Sequence, residues 1–201
     1  MPGRVFIEDP LSEMAAVFDA DPPQEASGPR LDAAPGETFV VLVEGPLLRE
    51  MRWQMIMTGR RNARGRPVME TIVNARSETV FEKSAYAGVR RGVLPVNGWY
   101  EWTGATGRKT RWRIEAPERR WLAFAAIWDI WRAPGGAEVA QMATLTVEPS
   151  ADVKAIHHRM PAILAQEDVE RWLVEGGASL LRPAPEGLLS VTQAHGDLTG
   201  Q

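Results

Sequence analysis

Short apolar runs, several of them alternating with polar residues and bounded by Gly and Pro, set the plan of this 201-residue chain. The run Thr-Phe-Val-Val-Leu-Val at 38–43 predicts a strand. Alternation of Met51, Trp53 and Met55 predicts a second over 48–57, with Gly45-Pro46 between the two. Further strands are expected at 93–95, 98–102 and 139–147. The runs at 111–114 and 121–125 read as a hairpin across Pro117-Glu118-Arg119, with the apolar content continuing over 127–131. Helical spacing predicts a helix over 11–18, with Leu11, Met14, Ala15 and Phe18 on one face. Others are expected from Ser77 onward and over 167–173. Residues 19–37, rich in Pro, Asp, Ala and Gly, read as a long loop, and residues 183–201 as a loose polar tail. Many strands with few helices predict an α+β fold: one compact domain over 1–201, with a largely antiparallel, barrel-like β core and peripheral helices.

Composition narrows the chemistry. Hydrophobic residues make up 44% and charged residues 24%, ordinary for a globular chain, and the net charge of −3 gives no overall basic signature. A local basic patch remains open, because phosphate binding needs clustered arginine. Clusters occur at Arg60-Arg61 with Arg64 and Arg66, at Arg90-Arg91, and at Arg111 with Arg113. A solvated face accounts for such clusters equally well. There is no cysteine, which excludes disulfides, thiolate catalysis and Cys-type zinc sites. No apolar run reaches bilayer length and the start lacks the apolar core of a signal peptide, so no membrane partner is expected. The expected location is cytoplasmic, associated with the nucleoid. No cofactor or metal is implied.

A few polar residues stand in positions suited to chemistry. His157 and His158 are adjacent, so on an extended segment they point opposite ways and do not chelate; one of them can face a site, or both can be structural. Glu101 lies in Gly-Trp-Tyr-Glu-Trp at 98–102. It is either the polar face of an alternating strand or an acid framed by aromatics. Asn74 and Arg76 flank Ala75 and share a face if extended, which suits oxyanion or phosphate positioning and equally a buried hydrogen-bond network. Of the eight tryptophans, Trp53, next to Arg52, is the expected surface platform for a base; Trp99, Trp121 and Trp128 read as core.

In order, the chain carries Gly3-Arg4, Trp53, Asn-Ala-Arg-x-Glu-Thr at 74–79, Arg-Arg-x-x-x-Pro at 90–95, Gly-x-Tyr-Glu-Trp at 98–102 and Ile-His-x-Arg-Met-Pro-x-Ile-Leu at 156–164. This series, running from residue 1 to about 173, resembles the SOS-response-associated peptidase (SRAP) family. The resemblance implies a protein that shields abasic sites in single-stranded DNA through a covalent link from its second residue. It implies roles for Asn74 in holding the terminal amine, for Glu101 in relaying protons and for His157 as acid and base on the sugar. Arg4, Arg76 and Arg159 would grip phosphates, with Thr146 lining the same pocket. The implied partner is single-stranded DNA containing abasic sites, bound by a monomer.

The chain departs from that family at the decisive position. Residue 2 is Pro2 where the family has cysteine, and no other cysteine exists to close a thiazolidine. If Met1 is removed, Pro2 offers a secondary amine, which condenses with an aldehyde to an iminium that cannot become a neutral imine. The expectation is reversible Schiff-base or lyase chemistry at abasic DNA. The alternatives are a lapsed paralogue that only binds DNA and a peptidase that removes its own Met1.

Overall fold

The computed structural model describes residues 2–21, 29–45, 47–57, 63–65, 70–133 and 135–194, apart from the side chain of Ala85. Among the described residues fifteen strands follow one another: β1 (Arg4–Ile7), β2 (Arg30–Ala33), β3 (Thr38–Val43), β4 (Leu47–Trp53), β5 (Met55–Ile56), β6 (Thr71–Ile72), β7 (Asn74–Arg76), β8 (Arg90–Val96), β9 (Gly98–Thr103), β10 (Thr110–Glu115), β11 (Leu122–Arg132), β12 (Glu138–Val147), β13 (Met160–Pro161), β14 (Ile163–Leu164) and β15 (Ser190–Gln193). Three short helices accompany them: α1 (Leu11–Val17), α2 (Ser77–Val80) and α3 (Val169–Val174).

Five strands close on themselves. β12 pairs β4, β4 pairs β3, β3 pairs β8, β8 pairs β11 and β11 returns to β12, forming a barrel. The closure is the parallel step, Gln141↔Arg52 and Met142↔Trp53; the other four contacts are antiparallel. A side chain reinforces that step. Gln141, fully buried, accepts from Ile56 N at 2.9 Å and donates to Ile56 O at 3.0 Å. It also donates to Asp129 Oδ1 at 2.8 Å and accepts from Arg52 Nη2 at 3.2 Å, so both ends of its amide are used. The second sheet, in the order β15-β10-β9-β1-β2, packs against the barrel. Val5, Trp99 and Ile114 from this sheet belong to the same buried cluster as Val41, Leu94, Phe124 and Leu145 from the barrel. The architecture is therefore α+β, with a largely antiparallel barrel core and few, peripheral helices.

Several expectations change. Residues 111–114 and 121–125 do not form a hairpin with each other. β10 pairs β9 and β15 while β11 joins the barrel, and the bridge Ala116↔Arg119 lies within the connection between the two runs. Alternation reports which face is buried, not which strand is the neighbour. Residues 30–33, inside the expected 19–37 loop, form β2 against β1. Within the expected loose tail, 190–193 form β15 along β10 in the register Trp112↔Gln193 to Glu115↔Ser190. Gly98 is small for a packing reason: a Cβ there would lie 2.3 Å from both Ile114 O and Phe6 Cζ.

Candidate functional site

The two sheets meet at the start of the chain. β1 runs antiparallel to β9 with Arg4 opposite Tyr100 and Phe6 opposite Gly98. Moving back along β1 is therefore moving forward along β9, so the residues ahead of Arg4 approach the end of β9 that carries Glu101. Asn74, on the barrel side, donates from Nδ2 to the carbonyl oxygen of Pro2 at 3.0 Å. The amide reaches the carbonyl, not the nitrogen that the resemblance implied. The carbonyl carbon is two bonds from the nitrogen, so holding the carbonyl keeps the nitrogen of residue 2 in the same place.

Asn74 is itself held. The Thr144 hydroxyl, fully buried on β12, donates to Asn74 Oδ1, and β7 lies parallel to β12 with Asn74 opposite Thr144. A donor on Oδ1 forces the other end of the amide, Nδ2, toward Pro2. Thr144 was not singled out from the sequence, where Thr146 was. The available signal is that both threonines sit two apart on one strand and therefore share a face.

Glu101 is 5% exposed on β9, and His157 follows the turn at 151–156. His157 Nδ1 lies between two backbone groups of Arg159, 2.9 Å from its N–H and 3.0 Å from its carbonyl oxygen, which fixes the orientation of the ring. Burial holds the His157 pKa below the usual histidine value, and the nearby Glu101 carboxylate pulls it back up only in part. A neutral imidazole beside a carboxylate can take a proton and keep it briefly. The two histidines do not point apart as expected: their rings stack with centroids 4.3 Å apart and planes 27° apart. Both lie outside any strand, just after the turn at 151–156, so strand alternation does not apply to them.

The other named residues divide. Arg76 is exposed at the end of β7. Arg4 is partly exposed and lies 3.4 Å from Asp32 Oδ2, a carboxylate it shares with Arg111. Arg159 is buried, with its fork bidentate on Glu78 at 2.6 and 2.8 Å and Nη2 also donating to Thr146 O. That guanidinium holds Glu78 below the usual carboxylate range. Thr146 is fully buried and donates to Ala75 O at 3.3 Å, so its hydroxyl serves the β7–β12 seam. Trp53 is corrected outright: it is fully buried, packs edge-on against Phe39 and donates from Nε1 to Val73 O, leaving no face for a base. Its neighbour Arg52 points to Gln141, so the polar flank that suggested exposure belongs to the barrel seam. Arg60, Arg61 and Arg66 lie outside the described residues. Arg113 is bound to Glu8 and Glu115. Among the described residues no group of three or more acidic or histidine side chains could hold a metal, and no helix is long and apolar enough to cross a membrane.

The chain has recognisable relatives. It is 28% identical over 182 residues to the abasic site processing protein YoaM of Bacillus subtilis, covering 86% of this chain and 79% of that protein. It is 33% identical over 168 residues to the abasic site processing protein HMCES of Gallus gallus, covering 69% of this chain but only 50% of the other. A crystal structure of a protein from Bacteroides thetaiotaomicron superposes with a TM-score of 0.83 at 21% identity, over 96% of this chain and 91% of that one, which fixes the fold. The model of the SOS response associated peptidase family matches residues 1–197, and the chain belongs to that family.

Proposed function

We propose that this protein binds DNA at abasic sites and, when processed to begin at Pro2, joins the sugar aldehyde through a reversible iminium. The observation that carries the reading is the Asn74 bond to the Pro2 carbonyl; Glu101, toward whose end of β9 residue 2 runs, and His157, on which Glu101 acts, support it. The names of the relatives in Bacillus subtilis and Gallus gallus support the substrate. In the reaction the proline nitrogen attacks the aldehyde carbon and gives up its proton. The carbinolamine oxygen gains a proton and leaves as water, and the carbon–nitrogen double bond remains cationic. Water then restores amine and aldehyde. Alternatively, a base takes a proton from the adjacent sugar carbon and the 3′-phosphate leaves. His157, neutral through burial, serves as that base, Glu101 relays protons, and Arg4 and Arg76 meet phosphates. DNA containing an unstacked abasic sugar in a single strand is the favoured partner.

Borohydride reduction with abasic single-stranded DNA tests the reading. A trapped adduct whose mass equals protein lacking Met1 plus DNA is expected, and chemical blocking of the Pro2 nitrogen should abolish it. No adduct from a chain verified to begin at Pro2, or one that survives blocking, overturns the iminium. Salt-dependent DNA binding without any adduct identifies a non-covalent binding module instead.

A further inference from the structure

Arg90 and Arg91, together with Arg49 of β4, take no part in the site at Pro2. They line an open cleft of about 490 Å³ between the β3–β4 turn, β8 and α3. Its floor is Trp128: the guanidinium of Arg90 lies 4.6 Å from the ring centroid and that of Arg49 5.4 Å, and together they leave the ring 3% exposed. A guanidinium lying on a ring spends its faces on the π system and keeps its N–H edges for a ligand in the cleft.

Arg91 adds the third cation. Its head lies against the backbone of Gly176, where a Cβ would come within 2.2 Å of Nε, so a side chain at that position would expel it. Its buried Nε has no hydrogen-bond partner among the described residues. None of the three arginines meets a carboxylate among the described residues, in contrast to Arg113, Arg120 and Arg159, each of which does. Three like charges lining one cleft outnumber its single carboxylate, Glu44, and repel one another, and an anion relieves that cost.

The tract is longer than one small ligand. Arg91 also lines a second cleft of about 330 Å³ with Lys83 and Phe81, whose ring is 48% exposed. Four cations face two carboxylates, Glu44 and Glu82, across the two clefts. Leu47 and Val174, each 54% exposed, give the first cleft an apolar rim. Forked donors for phosphate, an exposed ring and apolar edges along two clefts that share Arg91 match a nucleic-acid strand.

We infer that the Arg49–Arg90–Arg91 cleft, continuing past Phe81 and Lys83, is a second nucleic-acid contact that grips the phosphodiester backbone of a strand outside the Pro2 site. The inference rests on the DNA-binding reading above and extends it to undamaged strand. Titration of the full chain with an intact single-stranded oligonucleotide lacking abasic sites tests it. The Arg49→Ala/Arg90→Ala double variant should bind about tenfold more weakly. It should also lower the slope of log affinity against log salt by about 1.4, some 0.7 per lost contact. Glu44→Gln, which removes an opposing charge from an exposed position, should bind more tightly. Unchanged affinity and slope in the double variant overturn the inference. So does displacement of the oligonucleotide by polyglutamate at equal charge concentration, which marks an acidic protein as the partner. The two readings fail separately: arginine-dependent binding of intact DNA without aldehyde trapping keeps this cleft and removes the Pro2 chemistry.

Discussion

His157 titrates below its ordinary value because it is partly buried, and that displacement has a sign. The unfolded chain binds a proton near pH 6.5 that the folded chain resists, so the stability it contributes is present above about pH 6.5 and lost as pH falls through the folded value. Melting temperatures measured downward from pH 8 should show this loss in the wild type and a flatter profile in His157→Gln. Glu101→Gln should push the imidazole pKa further down, read by NMR, because the carboxylate that partly restores it is gone. Thr144→Val removes the donor that orients Asn74. It should cost about 1–2 kcal/mol in chemical denaturation and slow adduct trapping, while Thr144→Ser preserves both. The sequence made Asn74, Glu101 and His157 legible because amide, carboxylate and imidazole are scarce in apolar surroundings. Thr144 was not, since a threonine inside Ala-Thr-Leu-Thr reads as ordinary strand. Trp53 misled because a flanking arginine suggested exposure, whereas Arg52 turns to Gln141.

Secondary elements carry their own tests. Gln141→Leu keeps the volume but strands the Ile56 N–H and C=O and the Asp129 carboxylate at the barrel seam. It should cost about 3 kcal/mol in urea denaturation and raise the Asp129 pKa beyond the elevation burial already imposes. Gly98→Ala forces a methyl into Ile114 O and Phe6, and a destabilisation of about 3 kcal/mol is expected. The strands at 38–43, 98–102 and 139–147 were readable from alternation, yet the pairing of β10 was not. Its outer partner, β15, has only Val191 as a hydrophobic residue, so a polar stretch 75 or more residues downstream gave no signal until the sheet placed it.

Across the whole molecule, the Pro2–Asn74–Thr144 chain of hydrogen bonds fastens the five-stranded sheet to the barrel at the same point where chemistry is proposed. Asn74→Ala should therefore have a polar effect on dynamics. Hydrogen exchange should accelerate in β1 while β8 and β11, inside the closed barrel, keep their protection. Barrel closure, sheet packing and site geometry all depend on contacts between distant parts of the chain, which one-dimensional patterning records as burial without naming the partner.

The entry of the chain into β1 at Arg4 also sets a length. With at most about 3.5 Å of backbone per residue, the nitrogen of residue 2 is tethered within about 7 Å of the first strand residue. In the proposed reaction it could not swing out to meet a lesion; the nucleic acid would have to bend its sugar inward and hold it there. By the same constraint, anything appended ahead of residue 2 must thread out past the incoming strand, so a purification tag belongs at the other terminus.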